Sequence, residues 1–261
     1  MNRMLGKSLW ASAVFTGCIG CAGARAENVY TLGLGAGVAP LYEGSNEYHP
    51  IFAPLFSAEF SNGIFISPLR GGLGYGHKFS NGMFASLALD YDEGRSDRKR
   101  LDMPGSDYLK GMGRIPGSFM GAFQVGMPIY GDATLSVTLD VPLTHRQRGL
   151  SGHIDLEVPI FASGRHQVTF SPSLHFGSRR YTQTFFGVTD AQAASSAFRP
   201  YATKAGFDRA SLSLAWTYEI SRTWSVNSVL GVSRLLGDSA NSPIVQSKQS
   251  YFGLTSLNYS F

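Results

Sequence analysis

The side chains best suited to chemistry in this sequence are histidines and the hydroxyl and carboxyl groups near them. Ser151, His153 and Asp155 stand at alternate positions, and His145 lies shortly before them. Nucleophilic catalysis by serine needs a histidine within hydrogen-bonding distance and a carboxylate that orients it. These residue types are present, but their spacing does not establish the contacts. We therefore interpret them as polar residues at the rim and in the lumen of the barrel that is predicted below. We predict no catalytic residue, and we predict that the protein is not an enzyme.

The sequence gives no support for a metal or a cofactor. None of the six histidines belongs to an H-x-H or H-E-x-x-H pattern that would favour metal binding. Gly33, Gly35 and Gly37 alternate with apolar residues and no helix pattern follows them, which differs from a dinucleotide-binding loop. These glycines are expected to curve a strand or to leave room on its inner face.

The elements that hold these residues follow an alternating pattern. Segments of roughly ten residues alternate apolar with small or polar side chains, which is typical of transmembrane β-strands. Ile154, Leu156 and Val158, for example, enclose Asp155 and Glu157. Charged residues make up only 15% of the chain, against about 25% in soluble domains. A secreted β-sandwich would also alternate, but it normally presents more charge on its surface.

The pattern predicts an all-β fold, an antiparallel transmembrane β-barrel of twelve strands. The strands are expected at residues 28–38, 51–60, 63–70, 72–79, 83–91, 118–129, 133–142, 153–161, 166–176, 208–220, 223–235 and 249–261. Short connections alternate with mostly long ones; only the connection near Gly71 departs from this. An even strand number with short periplasmic turns and longer extracellular loops is the arrangement of bacterial outer-membrane barrels.

Charged residues are expected in the loops and on the lumen face. Eleven of them fall between Asp92 and Arg114, where solvation is the simplest explanation. Five others are expected to face the lumen, where they either line a pore or fill it: Asp90, Asp140, Asp155, Glu157 and Arg209.

The first 26 residues are predicted to be a cleaved signal peptide, which leaves residues 27–261 as the barrel domain. A basic start precedes a short apolar run, and Ala24-Arg25-Ala26 is an A-x-A cleavage site. Cleavage would lower the net charge from +4 to +1, which argues against a nucleic-acid partner. It would also remove both cysteines, Cys18 and Cys21. The alternative is a lipoprotein anchored through one of them.

Aromatic residues gather near the last predicted turns and at the end of the chain. They predict a girdle at the membrane interface and comprise Trp216, Tyr218, Trp224 and Tyr259. The final strand ends in Phe261 with Tyr259 two residues before it. This ending resembles the C-terminal signal by which the barrel-assembly machinery recognises outer-membrane proteins. We therefore expect that machinery and outer-membrane lipid as partners, and the cell outer membrane as the location.

Three stretches carry a resemblance to a known family. Phe186-Gly187-Val188-Thr189 followed by Gln192-Ala193, the loop Leu235–Val245, and the opening Gly35–Ser45 resemble motifs of the MipA/OmpV family. The resemblance implies an outer-membrane barrel. One member of the family is described as a scaffold that joins a lytic transglycosylase, a murein hydrolase, to a bifunctional penicillin-binding protein.

The resemblance therefore favours a non-enzymatic scaffold or interaction protein linked to peptidoglycan and envelope maintenance. The alternative is a small-solute channel or ligand-binding barrel with a polar lumen. Phe185-Phe186 and Pro243-Ile244-Val245 are apolar within predicted outer loops. We expect them to fold inward and cap the barrel, because exposed apolar patches are costly unless covered.

Overall fold

The computed structural model describes residues 28–68, 72–100 and 103–261, and within them the chain forms a closed twelve-stranded antiparallel barrel. The predicted fold class is therefore confirmed. The predicted signal peptide with Cys18 and Cys21, and the connection near Gly71, lie outside the described residues. The strands are β1 Val29–Pro40, β2 Tyr48–Glu59, β3 Ile64–Ser67, β4 Gly72–Lys78, β5 Phe84–Asp92, β6 Ser118–Tyr130, β7 Ala133–Pro142, β8 Ser151–Ser163, β9 His166–Gly177, β10 Gly206–Glu219, β11 Trp224–Leu235 and β12 Gln249–Ser260.

Each strand pairs with its sequence neighbours, and β1 pairs with β12 to close the barrel. In this seam Thr31 stands opposite Ser260 and Gly35 opposite Ser256. The last residue extends the seam, because Phe261 and Tyr30 exchange backbone hydrogen bonds of 2.9 and 3.0 Å. The ring of strands is closed, as a lipid environment requires. Its shortest pairing among the described residues is between β2 and β3, where Ala58 pairs with Ile66 and Glu59 with Phe65.

Alternate side chains point to opposite faces of the wall, as the sequence pattern predicts. Large apolar side chains such as Leu34 and Phe52 are exposed on the outer face, where lipid would cover them. Small and polar side chains occupy the inner face. Asp155, for example, is fully buried there, and Ser171 and Ser213 are also buried. The low charge content of the chain follows from this outer apolar band.

Glycines of the inner face make room for larger neighbours. A Cβ at Gly33 would lie 2.2 Å from Asn258 Oδ1, and one at Gly126 would lie 2.2 Å from the Phe84 ring. The expectation that glycines of β1 leave room inside the barrel is confirmed at Gly33.

Several strands are longer than the alternation predicts, and the extra residues lie toward the long loops. β2 begins at Tyr48 because His49 and Pro50 pair with Ala39 and Val38 of β1. β8 begins at Ser151, which pairs with Gly177 of β9. Pairing partners on neighbouring strands, which no local pattern reveals, set these ends.

The end of the barrel with short turns carries paired aromatic rings. Trp216 stacks with Tyr218, with ring centroids 6.0 Å apart, and Trp224 lies 5.0 Å from Tyr259. The predicted aromatic cluster is present, at the level expected for a membrane interface.

The long loops at the other end contain short helices. They are α1 Arg179–Phe186, α2 Asp190–Ser195, α3 Gly237–Ala240 and two 3₁₀ turns, Asp107–Leu109 and Arg146–Arg148. Ser178 caps α1 by accepting from the Tyr181 amide, and Thr189 and Gln192 form a capping box at α2. Within the described parts of the chain, no helix has the length and apolar character needed to span a membrane.

Candidate functional site

The register of β7 to β10 aligns polar side chains across the inner wall. Thr138 stands opposite His153, His153 opposite His175, and His175 opposite Arg209. Because these residues are direct cross-strand neighbours on one face, their side chains lie side by side. We call these four residues together with Asp155 and Asp208 the lumen belt.

The lumen belt contains two histidine–carboxylate pairs. His153 contacts Asp155 through Nδ1, and His175 Nδ1 lies 2.6 Å from Asp208 Oδ1. The carboxylate on Nδ1 orients each ring and leaves Nε2 for other contacts. Asp155 Oδ1 and Asp208 Oδ2 are buried and have no hydrogen-bond partner among the described residues. Buried carboxylate oxygens normally bind a donor, so the belt retains hydrogen-bonding capacity.

The structure brings together part of the arrangement that serine catalysis would need. Asp155 orients His153, and Ser151 is buried on the same face two residues away. Within residues 28–68, 72–100 and 103–261, however, Ser151 forms no hydrogen bond with His153. His145 lies apart from them, exposed in the loop after β7, in a left-handed conformation with φ of 48°. The geometry is that of oriented histidines without an engaged nucleophile.

Two buried arginines, Arg209 of the lumen belt and Arg148 of the β7–β8 loop, form ion pairs. Arg209 of β10 contacts Glu43, which lies in the β1–β2 loop, and Arg148 Nη2 lies 2.5 Å from Asp92 Oδ1. Both guanidinium groups are buried. A buried charge needs a partner to offset the loss of hydration, and these carboxylates provide it. Glu43 follows β1, which lies three positions from β10 in the barrel order, so this contact joins the β1–β2 loop to the inner wall.

The long loops pack together over the opening in what we call the loop cap. It comprises residues 41–47, 93–100, 103–117, 178–205 and 236–248 and has one buried apolar cluster. The cluster consists of Leu41, Tyr42, Leu109, Met112, Val188, Phe198 and Ile244. Its members come from four loops that leave the barrel at different points of its rim, so their common core lies over the lumen. The expectation that Phe186 and Ile244 fold inward is confirmed, since both are buried.

Hydrogen bonds tie the loops of the cap to one another. Tyr42 donates its hydroxyl proton to the Ile244 carbonyl at 2.8 Å, and Ser242 donates to the Phe186 carbonyl at 2.5 Å. Arg95 donates from Nη1 to the Phe185 carbonyl at 2.5 Å. These bonds connect different loops rather than neighbouring residues, so the cap is a cross-linked unit.

Burial sets the protonation of the groups inside the cap. It lowers the pKa of Arg95 to about 10, and it raises the pKa of Tyr42 above its ordinary value, partly offset by the nearby Arg95. Burial also raises the pKa of Tyr181, and the carboxylate of Asp208 adds to this effect. At neutral pH Arg95 is therefore still a cation and both tyrosines are neutral hydrogen-bond donors.

The four carboxylates and the one arginine that the sequence predicts for the lumen all lie on strands, at inward positions of the alternation. Asp155 and Arg209 belong to the lumen belt, and Asp140 stands opposite Ser151 at its edge. Asp90 lies farther along the wall, on β5 opposite Met120. No group of three histidine, cysteine or acidic side chains in the described part of the chain is arranged to hold a metal ion.

Sequence reasoning missed the second histidine–carboxylate pair and the burial of Arg95 in the loop cap. Alternation along β9 places His175 inward, but Asp208 reaches it only through a bulge between Phe207 and Arg209 of β10. Arg95 belongs to the charged loop, where solvation is expected, yet it is buried. No local pattern distinguishes it from its exposed neighbours Arg98 and Lys99.

Comparison with solved structures finds similar barrels at low sequence identity. The translocator domain of the autotransporter NalP from Neisseria meningitidis has 8% identity and a TM-score of 0.42, with 92% of this chain and 91% of that one covered. OmpT of Vibrio cholerae has 8% identity and a TM-score of 0.40, with coverage of 90% and 97%. OprB of Pseudomonas putida has 9% identity and a TM-score of 0.40; the match covers 80% of this chain and 49% of OprB.

Comparison with the sequences of curated proteins gives no match. A comparison with family profiles does give one, and it extends over residues 32–261, from the first strand to the last residue. It includes the opening, the α1–α2 segment and the loop before β12 that carry the resemblance noted in the sequence. The chain therefore belongs to the MltA-interacting protein (MipA) family.

Proposed function

We propose that this outer-membrane barrel is a non-enzymatic scaffold or interaction protein that serves envelope and peptidoglycan maintenance. The observation that carries the proposal is the loop cap, whose apolar core covers the end of the barrel that bears the long loops. A barrel closed in this way offers surfaces to partners rather than a wide path for solutes. The family description, MltA-interacting protein, names an interaction as well.

Partners in the periplasm would meet the end of the barrel with short turns. Bulges occur there in both strands that flank β7, between Pro128 and Tyr130 and between Pro159 and Phe161. Bulges redirect side chains away from the regular alternation. Tyr130 of β6 is 89% exposed, and Phe161 of β8, on the other side of β7, is also exposed. Exposed aromatic side chains are common anchors of protein interfaces, and we assign these two to contact with a murein hydrolase or a penicillin-binding protein.

Affinity purification from envelope extracts tests the proposal. The full chain is expected to retain peptidoglycan hydrolases and synthases, and the double variant Tyr130→Ser, Phe161→Ser is expected to lose them. Tyr108→Ser, which changes an exposed tyrosine in the loop cap, is the matched control and should retain them. Equal recovery of these enzymes with all three barrels, or with none, would contradict the proposal. Turnover of lipid or peptide substrates by the purified barrel would contradict its non-enzymatic part.

The lumen belt supports a second candidate, a barrel that binds or conducts small solutes. Its oriented histidines and the spare oxygens of Asp155 and Asp208 are suited to bind a polar solute. Planar-bilayer recordings separate the two functions. Stable single-channel openings of the unaltered protein would favour the second candidate, whereas silence would favour the scaffold.

A further inference from the structure

A groove with a volume of about 540 Å³ lies on the outer wall of the barrel, on the side formed by β7 to β12. Its walls and floor are mostly outward-facing apolar side chains. They include Leu156, Pro172, Leu174, Ala210 and Leu212, with Arg234 at one end. The volume is within the range of about 300–1,000 Å³ that is usual for ligand sites.

The register shows how the groove crosses the strands. Leu174 stands opposite Ala210, Ala210 opposite Arg234, and Arg234 opposite Gln249. A second row beside it pairs Pro172 with Leu212. Ala210 and Pro172 are shorter than the leucines around them, so they form the floor.

The groove has a direction relative to the membrane. Arg234 is the second-last residue of β11, next to the loop cap, whereas Leu135 at the opposite end lies near the short turn before β7. The groove therefore begins near the rim that carries the long loops and runs obliquely across the apolar band toward the end with the short turns. One end is charged and the remainder is apolar.

The guanidinium group at the charged end of the groove has no side-chain partner among the described residues. Arg234 is exposed, and it forms no ion pair or hydrogen bond with side chains of the described residues. Lys248 lies close by, since its carbonyl accepts a hydrogen bond of 2.8 Å from the amide of Leu235. An arginine on the lipid-facing wall is unfavourable at the middle of a bilayer but is tolerated at the interface, where lipid phosphates are available. Its planar guanidinium matches the geometry of a phosphate group.

We propose that the groove binds an acyl chain of a phosphate-bearing lipid of the outer leaflet, and that Arg234 binds the phosphate of that lipid. The apolar floor at Ala210 and Pro172 receives the chain, and the cationic end lies at the depth of the headgroups when the long loops face outward. This lipid site is separate from the partner surface at the short turns and does not depend on the scaffold function.

Native mass spectrometry of the purified full chain, incubated with diphosphorylated lipid A or with diacylglycerol, which has acyl chains but no phosphate, tests the lipid site. The unaltered barrel is expected to retain one lipid A molecule. Ala210→Phe fills the floor and should reduce that retention roughly tenfold. Arg234→Gln should reduce retention of lipid A but not that of diacylglycerol, because only the phosphate contact is lost.

Two matched controls separate the site from general lipid adhesion. Ala36→Phe adds the same ring to the outer face of β1, away from the groove, and Arg146→Gln removes an exposed loop arginine. Both should retain lipid A like the unaltered barrel, and heat-modifiable migration verifies that every variant is folded. Equal retention by Ala210→Phe and Ala36→Phe would overturn the site. The lipid site would also be overturned if the unaltered protein forms a dimer that Ala210→Phe dissociates and Ala36→Phe does not. The groove would then bind a second copy of the chain.

Discussion

Tyr42 shows how one residue can join separate parts of the chain. It is fully buried in the loop cap, and its hydroxyl donates to the carbonyl of Ile244, about 200 positions later in the sequence. The guanidinium of Arg95 lies 6.0 Å from the centre of its ring. Such a contact contributes more when both groups are removed from water. Tyr42 therefore connects the β1–β2, β5–β6 and β11–β12 loops through one side chain.

At the residue scale, we predict that Tyr42→Phe weakens the cap without unfolding the barrel. The Ile244 carbonyl would lose its buried donor, at a cost of about 1–2 kcal/mol. Hydrogen exchange of residues 236–248 should become faster, while exchange of the strands stays unchanged. Tyr108→Phe, at a tyrosine that is partly exposed in the same cap, should leave both rates unchanged. Identical exchange in the two variants would show that the Tyr42 hydroxyl does not hold the cap.

At the scale of elements, the inner face of the barrel depends on matched pairs of small and large side chains. The Phe84 ring of β5 lies against the bare backbone of Gly126 in β6, its cross-strand neighbour. The same relation occurs between Phe252 and Gly231 in β12 and β11. Aromatic side chains thereby cover glycines that would otherwise weaken their strands.

We predict that Gly126→Val destabilises the barrel by about 1–3 kcal/mol, because the added side chain clashes with the Phe84 ring. Adding Phe84→Ala should restore part of the loss, since it removes the clashing ring. Gly121→Val is the control, because it lies on the outer face of the same strand and its nearest contact would be Leu143 at 3.5 Å. Unfolding midpoints in guanidinium chloride measure the effects. Equal losses at Gly121 and Gly126 would contradict the clash.

At the scale of the whole molecule, the seam between the first and last strands decides whether the barrel closes. Phe261 forms backbone hydrogen bonds with Tyr30, and its ring stacks on that of Tyr30 with centroids 5.8 Å apart. We also expect the barrel-assembly machinery to recognise this residue. Phe261 therefore stabilises the closed barrel and, by our hypothesis, also directs the chain to the outer membrane.

We predict that deletion of Phe261 lowers the amount of heat-modifiable barrel in the outer membrane several-fold. Two backbone hydrogen bonds of the seam and the aromatic contacts with Tyr30 and Tyr259 would be lost, each worth roughly 0.5–1.5 kcal/mol. Phe261→Trp should assemble normally because it keeps an aromatic ring and the backbone. Immunoblots of membrane fractions without heating provide the measurement. Normal levels after the deletion would rule out a role for the terminal residue.

The strands could be predicted largely from the sequence because alternation is a local property with a period of two. It identified all twelve strands and the inward side of Asp155 and Arg209. Strand ends were less accurate, as at Tyr48 and Ser151, because cross-strand partners determine them. Within the candidate site, the sequence showed His153 and Asp155 two residues apart on one face, which is the spacing at which they meet. It gave no indication of the contact between His175 and Asp208, which needs the register of two strands and a bulge.

The sequence by itself determined that the chain forms a barrel with an apolar outer face. The face to which a side chain points follows from whether its position along the strand is odd or even. Only the tertiary structure decided which side chains meet. The loop cap joins residues from four loops, and the buried Arg95 stands three positions before the exposed Arg98-Lys99 pair. The groove on the outer wall follows from the register of β7 to β12. Contacts between distant segments depend on how the barrel closes, and no stretch of sequence contains that information on its own.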